Sequence, residues 1–276
     1  MLKKLGIIGA GAITGEMLAV LGRALPERLE ELVVLARPGK GGAVTEALSD
    51  AASAVASSFR AVECITAMIA AGPDLAVEAA GHSAVSDYVP SLLSAGIETV
   101  IASTGALAEK ALAVDLEEAA RKGGTRLVLA SGAVGGMDIL AALKWSQVQS
   151  VTYTSRKPPS AWKGTPAESH ADLTALTSEM VFFEGSARKA AADYPKNANV
   201  AATIALAGIG FEQTRVRMIA DPGITANVHV FDVVSDAAEI TVRIEGKPSP
   251  ANPKTSLPTV YSLVREVMNR INPIVS

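Results

Sequence analysis

Hydrophobic positions change their period several times along this chain, and each change predicts an element. Leu5 to Ile8 is a short apolar run that fits a buried strand, after which Ile13, Met17, Leu18 and Leu21 recur at helical spacing. Glu31 to Arg37 reads as a second strand closed by Pro38-Gly39. An Ala/Ser-rich helix over 42–54, a weak strand near 54–57 and a helix running to Ala71 follow. Leu75 to Ala80 is the next strand and ends at Gly81-His82-Ser83. A helix over 86–95 stops at Gly96, and Glu98 to Ala102 is a strand that runs into Ser103-Thr-Gly-Ala-Leu107. A helix over 108–122 stops at Gly123-Gly124, and Arg126 to Ala130 completes a sixth strand. Strand and helix alternating through short connections predict a doubly wound parallel sheet over residues 1–132.

Beyond that point the pattern turns to strands. Ser131-Gly-Ala-Val-Gly-Gly-Met-Asp138 is a second glycine-rich turn, leading into a helix from Ile139 to Trp145. Ser150–Ser155, Thr214–Ile219, Thr225–Val234 and Glu239–Glu245 then alternate without regular helical crossovers. Such strands predict an open, mainly antiparallel sheet with one face covered. Between the first two lie the loop Lys157-Pro-Pro-Ser-Ala-Trp162, helical stretches, and Asn197-Ala-Asn-Val-Ala-Ala-Thr203, where Asn197 or Asn199 is placed to cap an apolar helix. Asn252-Pro-Lys-Thr-Ser256 opens a last helix over 257–271, expected to pack back on the first domain. The expected fold is therefore α/β: an N-terminal Rossmann domain (1–132, plus the C-terminal helix within 253–276), and a C-terminal α+β domain (133–252) built on the open sheet.

Composition narrows the partners. Of 276 residues 49% are apolar and only 4% aromatic, and the formal net charge is −3 with no basic block, so neither nucleic acid nor an anionic membrane surface is an expected partner. Cys64 is the single cysteine, which excludes an internal disulfide and a multi-cysteine metal site; it reads as a packing residue, and no metal is expected. Met1-Leu-Lys-Lys lacks a cleavable signal pattern, and the longest apolar run, Val200 to Phe211, is broken by glycine and too short to span a bilayer. A cytoplasmic protein is expected.

Candidate chemistry begins at Gly9-Ala-Gly-Ala-Ile-Thr-Gly15. Glycines between a strand and a helix let the backbone approach a pyrophosphate, and the helix start at Ala12 and Ile13 offers free N–H donors. The third glycine of G-x-G-x-x-G falls at position 14, which is Thr14, with Gly15 one place late; an ordinary glycine-rich turn is the plain alternative. At the end of the second strand an NAD site usually carries an acidic residue, but here stands Arg37, with Lys40 close by. A guanidinium there suits a 2′-phosphate or stacks on adenine, so NAD or NADP is allowed, and a solvated loop arginine is the alternative. Ala80-Gly81 and Ser103–Gly105 end strands on the side where such sheets bind ligands, and His82 reads as a local or cofactor-contact group. Two domains leave a cleft as the default substrate site. Among the histidines, His229 lies mid-strand with Asn227 on the same face, and from pattern alone a catalytic histidine and one exposed on a solvent-facing sheet are equally allowed. No nucleophile elbow, His-Glu-x-x-His helix or P-loop is present.

Several separate stretches together resemble the L-aspartate dehydrogenases, whose architecture is similar to homoserine dehydrogenase and dihydrodipicolinate reductase. They are the Gly-x-Gly turn at 9–11, Ser103–Leu107, Ser131–Gly136, Thr154-Ser-Arg-Lys-Pro-Pro159, Asn197–Thr203, Ala220-Asp-Pro222, Asn227-x-His229 and Asn252–Ser256. Two departures stand out: Thr14 where the family usually has glycine, and Val230 where an acidic residue commonly follows the histidine. The resemblance implies NAD(P)-dependent oxidative deamination of L-aspartate to iminoaspartate, then oxaloacetate and ammonia, by a homodimer; some members feed iminoaspartate to pyridine nucleotide biosynthesis. It implies that His229 is the active-site residue and that Ala133 and Asn199 bind cofactor. A dicarboxylate needs cationic or N–H partners, for which Lys157, Arg156, Lys163, Asn227 and the helix start at Thr255-Ser256 are candidates. Two rivals remain: another oxidoreductase of the same architecture acting on homoserine or dihydrodipicolinate, and a non-catalytic NAD(P)-sensing regulator.

Overall fold

A computed structural model describes residues 2–247 and 256–275. The chain divides into two compact units, one formed by residues up to Ala130 together with those from Thr259 onward, the other by Ser131–Pro258.

The first unit is a six-stranded parallel sheet flanked by helices. In chain order it contains β1 (Lys4–Ile8), α1 (Ala12–Ala24), β2 (Leu29–Leu35), α2 (Gly41–Val55), β3 (Ala56–Val62), α3 (Ile65–Ala71) and β4 (Leu75–Glu78). It continues with α4 (His82–Ser94), β5 (Glu98–Ile101), α5 (Lys110–Gly123) and β6 (Leu127–Leu129). The sheet order β3-β2-β1-β4-β5-β6 reverses direction between β1 and β4, which is the switch point where sheets of this kind bind ligands. Central strands β1, β2 and β4 are buried almost throughout, as a sheet covered on both faces requires.

Two boundaries differ from expectation. The helix expected to follow residue 57 and run to Ala71 is instead β3 plus the short α3. β3 is an edge strand whose Ser58 and Arg60 are exposed, so its weak alternation is masked by the Ala-rich helix that runs straight into it. Helix α4 also starts four residues earlier than expected, at His82, with Gly81 as its N-cap at φ +130°.

The second unit contains α6 (Met137–Leu143), β7 (Val148–Lys157), β8 (Met180–Ser186), α7 (Ala187–Asp193), α8 (Asn199–Ala207), β9 (Arg215–Ala220), β10 (Asn227–Ser235) and β11 (Glu239–Gly246). Its sheet runs β11-β10-β7-β9-β8, with β7 and β9 parallel and the other three pairings antiparallel. β8 falls where helix was expected. A register irregularity between Val181 and Phe183 buries Phe182 and Phe183 side by side, which erases the period of two that announces a strand. Helix α8 ends at Gly208, where an added Cβ would lie 3.3 Å from Leu140 and 3.5 Å from Val151, so this helix packs tightly on α6 and β7. Its N-cap is Ala198 with no side-chain cap, so neither Asn197 nor Asn199 caps it.

The last helix, α9 (Leu257–Met268), places Val260, Leu263, Val264 and Val267 in the same buried cluster as Leu5, Ile7, Leu32 and Val100 of the first unit. Among the described residues no helix is long and apolar enough to cross a membrane, and no group of His, Cys, Asp or Glu is arranged to hold a metal ion.

Candidate active site

In the first unit the site is made mostly of backbone. β1 hands over to Gly9 at φ +98°, a conformation that disfavours a side chain, and an added Cβ would lie 2.8 Å from the Ala80 methyl. Gly11, the extended N-cap of α1, makes no side-chain cap to the first-turn N–H groups of Ala12 and Ile13, where the helix's partial positive charge is concentrated. Thr14 explains the missing third glycine. It is fully buried, and its hydroxyl donates to the Gly9 carbonyl at 2.9 Å, tying the helix to the turn. Gly15, by contrast, has open space where a Cβ would be, so it does not replace the absent glycine in close packing.

A cavity of about 700 Å³ opens beside this turn. Ile8–Gly11 form its base, Leu35–Arg37 with Lys40 and Val44 one wall, and Ala79, Ala80, Ser83, Asp87 and Tyr88 the other. Arg37 lies past the end of β2 and is exposed. The carboxylate nearest to that loop, Glu63, accepts the Gly39 and Gly41 N–H groups at 2.9 and 2.6 Å, which hold its carboxyl below the usual range. Its charge is thus spent on the β2–α2 loop.

Glu78 has no counterpart in the sequence reading. It is fully buried at the end of β4 and receives four hydrogen bonds: Ala80 N–H, Gly81 N–H and the Ser103 hydroxyl on Oε1 (2.7, 2.7 and 2.9 Å), and Ser103 N–H on Oε2 (3.0 Å). One carboxylate therefore joins the two loops expected to face cofactor, those of Ala80-Gly81 and Ser103-Thr104-Gly105. A glutamate inside the apolar run Leu75–Ala80 was the available signal, because a buried charge must have partners.

These features fit a dinucleotide. A turn that favours glycine, helix N–H groups with no side-chain cap from Gly11, two cations at the rim and a cavity of suitable size are what a pyrophosphate and a ribose require.

In the second unit the site is made of side chains on one face of the sheet. His229 is only 5% exposed and shares its face with Phe231 and Val233, both buried; this is the core face of β10, which removes the reading of a solvent-facing histidine. The hydrophobic signal misled because Val228 is buried too, so both faces of the strand carry apolar residues. The Tyr153 hydroxyl lies 2.7 Å from His229 Nδ1, with the two rings nearly parallel. Ser155 stands directly opposite His229 in the β7–β10 register, and its buried hydroxyl has no hydrogen-bond partner among the described residues.

Lys157 completes the cluster. Its Nζ donates to Asn197 Oδ1 at 2.9 Å and sits 4.7 Å above the ring of Trp162, itself fully buried and bonded to the Ile219 carbonyl. Burial lowers Lys157 to about 8. Burial first, and the Lys157 charge second, push His229 down to about 3. Burial pushes the Tyr153 phenol up, with the nearby Ser155 hydroxyl opposing. Arg156, one residue earlier, points to the other face and pairs with Glu179 and with Asp221 at 2.6 Å. Two carboxylates therefore already neutralise its charge. Lys163 is exposed.

The remaining expected residues are near but less constrained. Asn227 is half-buried on the His229 face, opposite Gly246, and Ser256 packs against Gly246 with its hydroxyl buried and unpartnered among the described residues. Thr255 lies outside the described residues. Ala133 is buried in the glycine-rich turn, whose Gly136 packs on Phe231 and Val242 beside His229. Asn199 is the half-buried first residue of α8.

Comparison with known proteins agrees with both halves. Residues 9–130 match the family described as homoserine dehydrogenase, NAD binding domain, and residues 138–270 match aspartate dehydrogenase, C-terminal. An L-aspartate dehydrogenase of Polaromonas sp. is 44% identical over 270 residues, 97% of each chain, and that of Pseudomonas aeruginosa is 49% identical over 202 residues, 73% of this chain and 76% of the relative. The crystal structure of aspartate dehydrogenase from Thermotoga maritima superposes with a TM-score of 0.74 at 25% identity, covering 100% of this chain and 99% of the other. With a dinucleotide turn in one unit, a buried histidine in the other, and relatives matching along nearly the full length, the chain belongs to the L-aspartate dehydrogenase family.

Proposed function

We propose that this protein catalyses NAD(P)-dependent oxidative deamination of L-aspartate, with His229 as its acid–base residue. NAD(P)⁺, when bound, accepts the hydride that leaves Cα of the substrate. Gly9, Gly11, Ala12 and Ile13 would hold its pyrophosphate, with Arg37 and Lys40 at the adenosine end and Ala80, Gly81, Ser103 and Gly105 on the loops clamped by Glu78. Ala133 and Asn199 join this set on the family resemblance. Because Glu63 is already engaged and Arg37 and Lys40 are cationic, the rim suits a 2′-phosphate as well as a diol.

The observation that carries the catalytic reading is the buried His229–Tyr153 pair beside Lys157. A dicarboxylate brings negative charge to Lys157, and the hydroxyl of Ser256 and the amide of Asn227 are available to its oxygens. That charge offsets the cation which helps hold His229 neutral, so substrate arrival raises the basicity of the imidazole. His229 then takes a proton from the substrate ammonium, the free amine's electron pair forms the C=N bond as hydride departs, and water hydrolyses iminoaspartate to oxaloacetate and ammonia. The reverse sequence returns the proton. We further propose a cytoplasmic homodimer, on the family resemblance.

The test is NAD(P)H formation, followed by absorbance, with L-aspartate, homoserine and a panel of amino acids under each cofactor. Turnover with aspartate exceeding every other substrate is expected. Preferred turnover on homoserine, or cofactor binding without turnover on any substrate, overturns the proposal.

A further inference from the structure

Tyr153 is buried, which pushes its phenol up, and it has two polar neighbours: His229 Nδ1 at 2.7 Å, and the Ser155 hydroxyl, which is buried and not yet hydrogen-bonded. A buried phenol needs an acceptor for its proton, and a buried serine hydroxyl needs a partner. Two arrangements satisfy all three groups once the Ser155 hydroxyl, which makes no hydrogen bond as it stands, turns to the Tyr153 oxygen. In one, Ser155 donates to Tyr153 and Tyr153 donates to Nδ1, which leaves a proton on Nε2. In the other, Nδ1–H donates to the Tyr153 oxygen and Tyr153 donates to Ser155, which leaves Nε2 with its lone pair. Only the second equips the ring to accept a proton at Nε2, the nitrogen not occupied by Tyr153.

We infer that Tyr153 is a positioning residue that holds His229 in the Nδ1–H tautomer, with Ser155 accepting the phenol proton. This rests on the acid–base reading of His229 above. The geometry gives Tyr153 control over both ring angle and proton position, since its oxygen is 2.7 Å from Nδ1 and the rings are stacked at 18°. No carboxylate takes this part: among the described groups facing the ring, Lys157 is the charged one and Ser155 and Asn227 are neutral. A neutral phenol in place of a carboxylate orients the imidazole without adding negative charge beside it.

The experiment is ¹⁵N NMR of the histidine-labelled full chain. His229 is assigned by difference against His82→Gln and His170→Gln, the other two histidines. A protonated Nδ1 and an unprotonated Nε2 are expected in the wild type, with Tyr153→Phe giving a tautomer mixture. Tyr153→Phe is also expected to lower kcat on the order of 10- to 100-fold while KM for aspartate moves less than about threefold. Should Tyr153→Phe fail to fold, Ser155→Ala is read in the same way, with a smaller shift in tautomer population. A wild-type Nε2–H tautomer, or a tautomer unchanged in the folded variant, overturns the inference. The NMR result does not depend on which substrate turns over, so it separates failure of the tautomer assignment from failure of the aspartate reading.

Discussion

The candidate sites of the two units are built from different materials. The first uses main chain: Gly9 at positive φ, the first-turn N–H groups of α1, and loops whose N–H groups are gathered by Glu78. The second uses side chains placed at alternate positions on neighbouring strands, Tyr153, Ser155 and Lys157 on β7 facing His229 on β10. Backbone donors are indifferent to most substitutions but intolerant of a changed path, whereas a side-chain cluster tolerates small shifts of path but not the loss of a functional group. The contrast is sharpest between Arg156 and Lys157. These adjacent cations face opposite sides of one sheet; one is neutralised by two carboxylates, and the other is half-buried against an amide oxygen and an indole face.

Removing the functional group of the second unit should have the largest effect. His229→Ala is expected to lower kcat by on the order of 10²- to 10⁴-fold, with cofactor Kd from fluorescence titration nearly unchanged. A variant with near-native turnover would remove His229 from the mechanism. Changing the path in the first unit should do the reverse. Gly9→Ala forces a Cβ into the Ala80 methyl at an unfavourable φ, a strain of about 1–3 kcal/mol, so cofactor Kd should weaken by roughly 10- to 100-fold while kcat at saturating cofactor moves little. Equal losses in both constants would erase the division of labour.

A pH series probes the half-buried cation. Lys157 is charged below about pH 8 and neutral above it, because burial lowers its pKa. With ammonia and cofactor saturating, KM for oxaloacetate should stay flat below that point and climb by up to about tenfold per pH unit above it. A flat profile to pH 10 would show that another group binds the carboxylates. The smallest effect belongs to Thr14→Val, which keeps shape but deletes the hydroxyl bond to Gly9. A loss of about 1 kcal/mol is expected, seen as a fall of a few degrees in Tm. No fall would mean that packing alone seats the helix.

Much of this was legible from residue order where local pattern and tertiary environment agree. The first sheet announced itself because its strands are apolar runs ended by glycine, and β7, β9, β10 and β11 because they alternate. β3 showed only at its start and β8 not at all, for different reasons: one is an edge strand fused to an alanine helix, the other carries an irregularity that buries two consecutive phenylalanines. His229 was placed on the correct strand, but its burial was not readable, since a histidine in an alternating strand looks the same on either face until the covering layer is known. Tyr153 and Glu78 escaped because each matters through partners far along the chain: His229 for one, Ser103 for the other.

The last helix bears on how the protein is made. Val260, Leu263, Val264 and Val267 complete a cluster whose other members, such as Leu5, Leu32 and Val100, leave the ribosome much earlier. During synthesis the first unit's sheet must therefore wait, one apolar stripe uncovered, until the second unit and this helix have emerged, while the intervening unit already has all of its own strands. The sheet that precedes the second unit is thus finished after it, and the interval in which it is open to chaperones or to misassociation lasts for the translation of that entire unit.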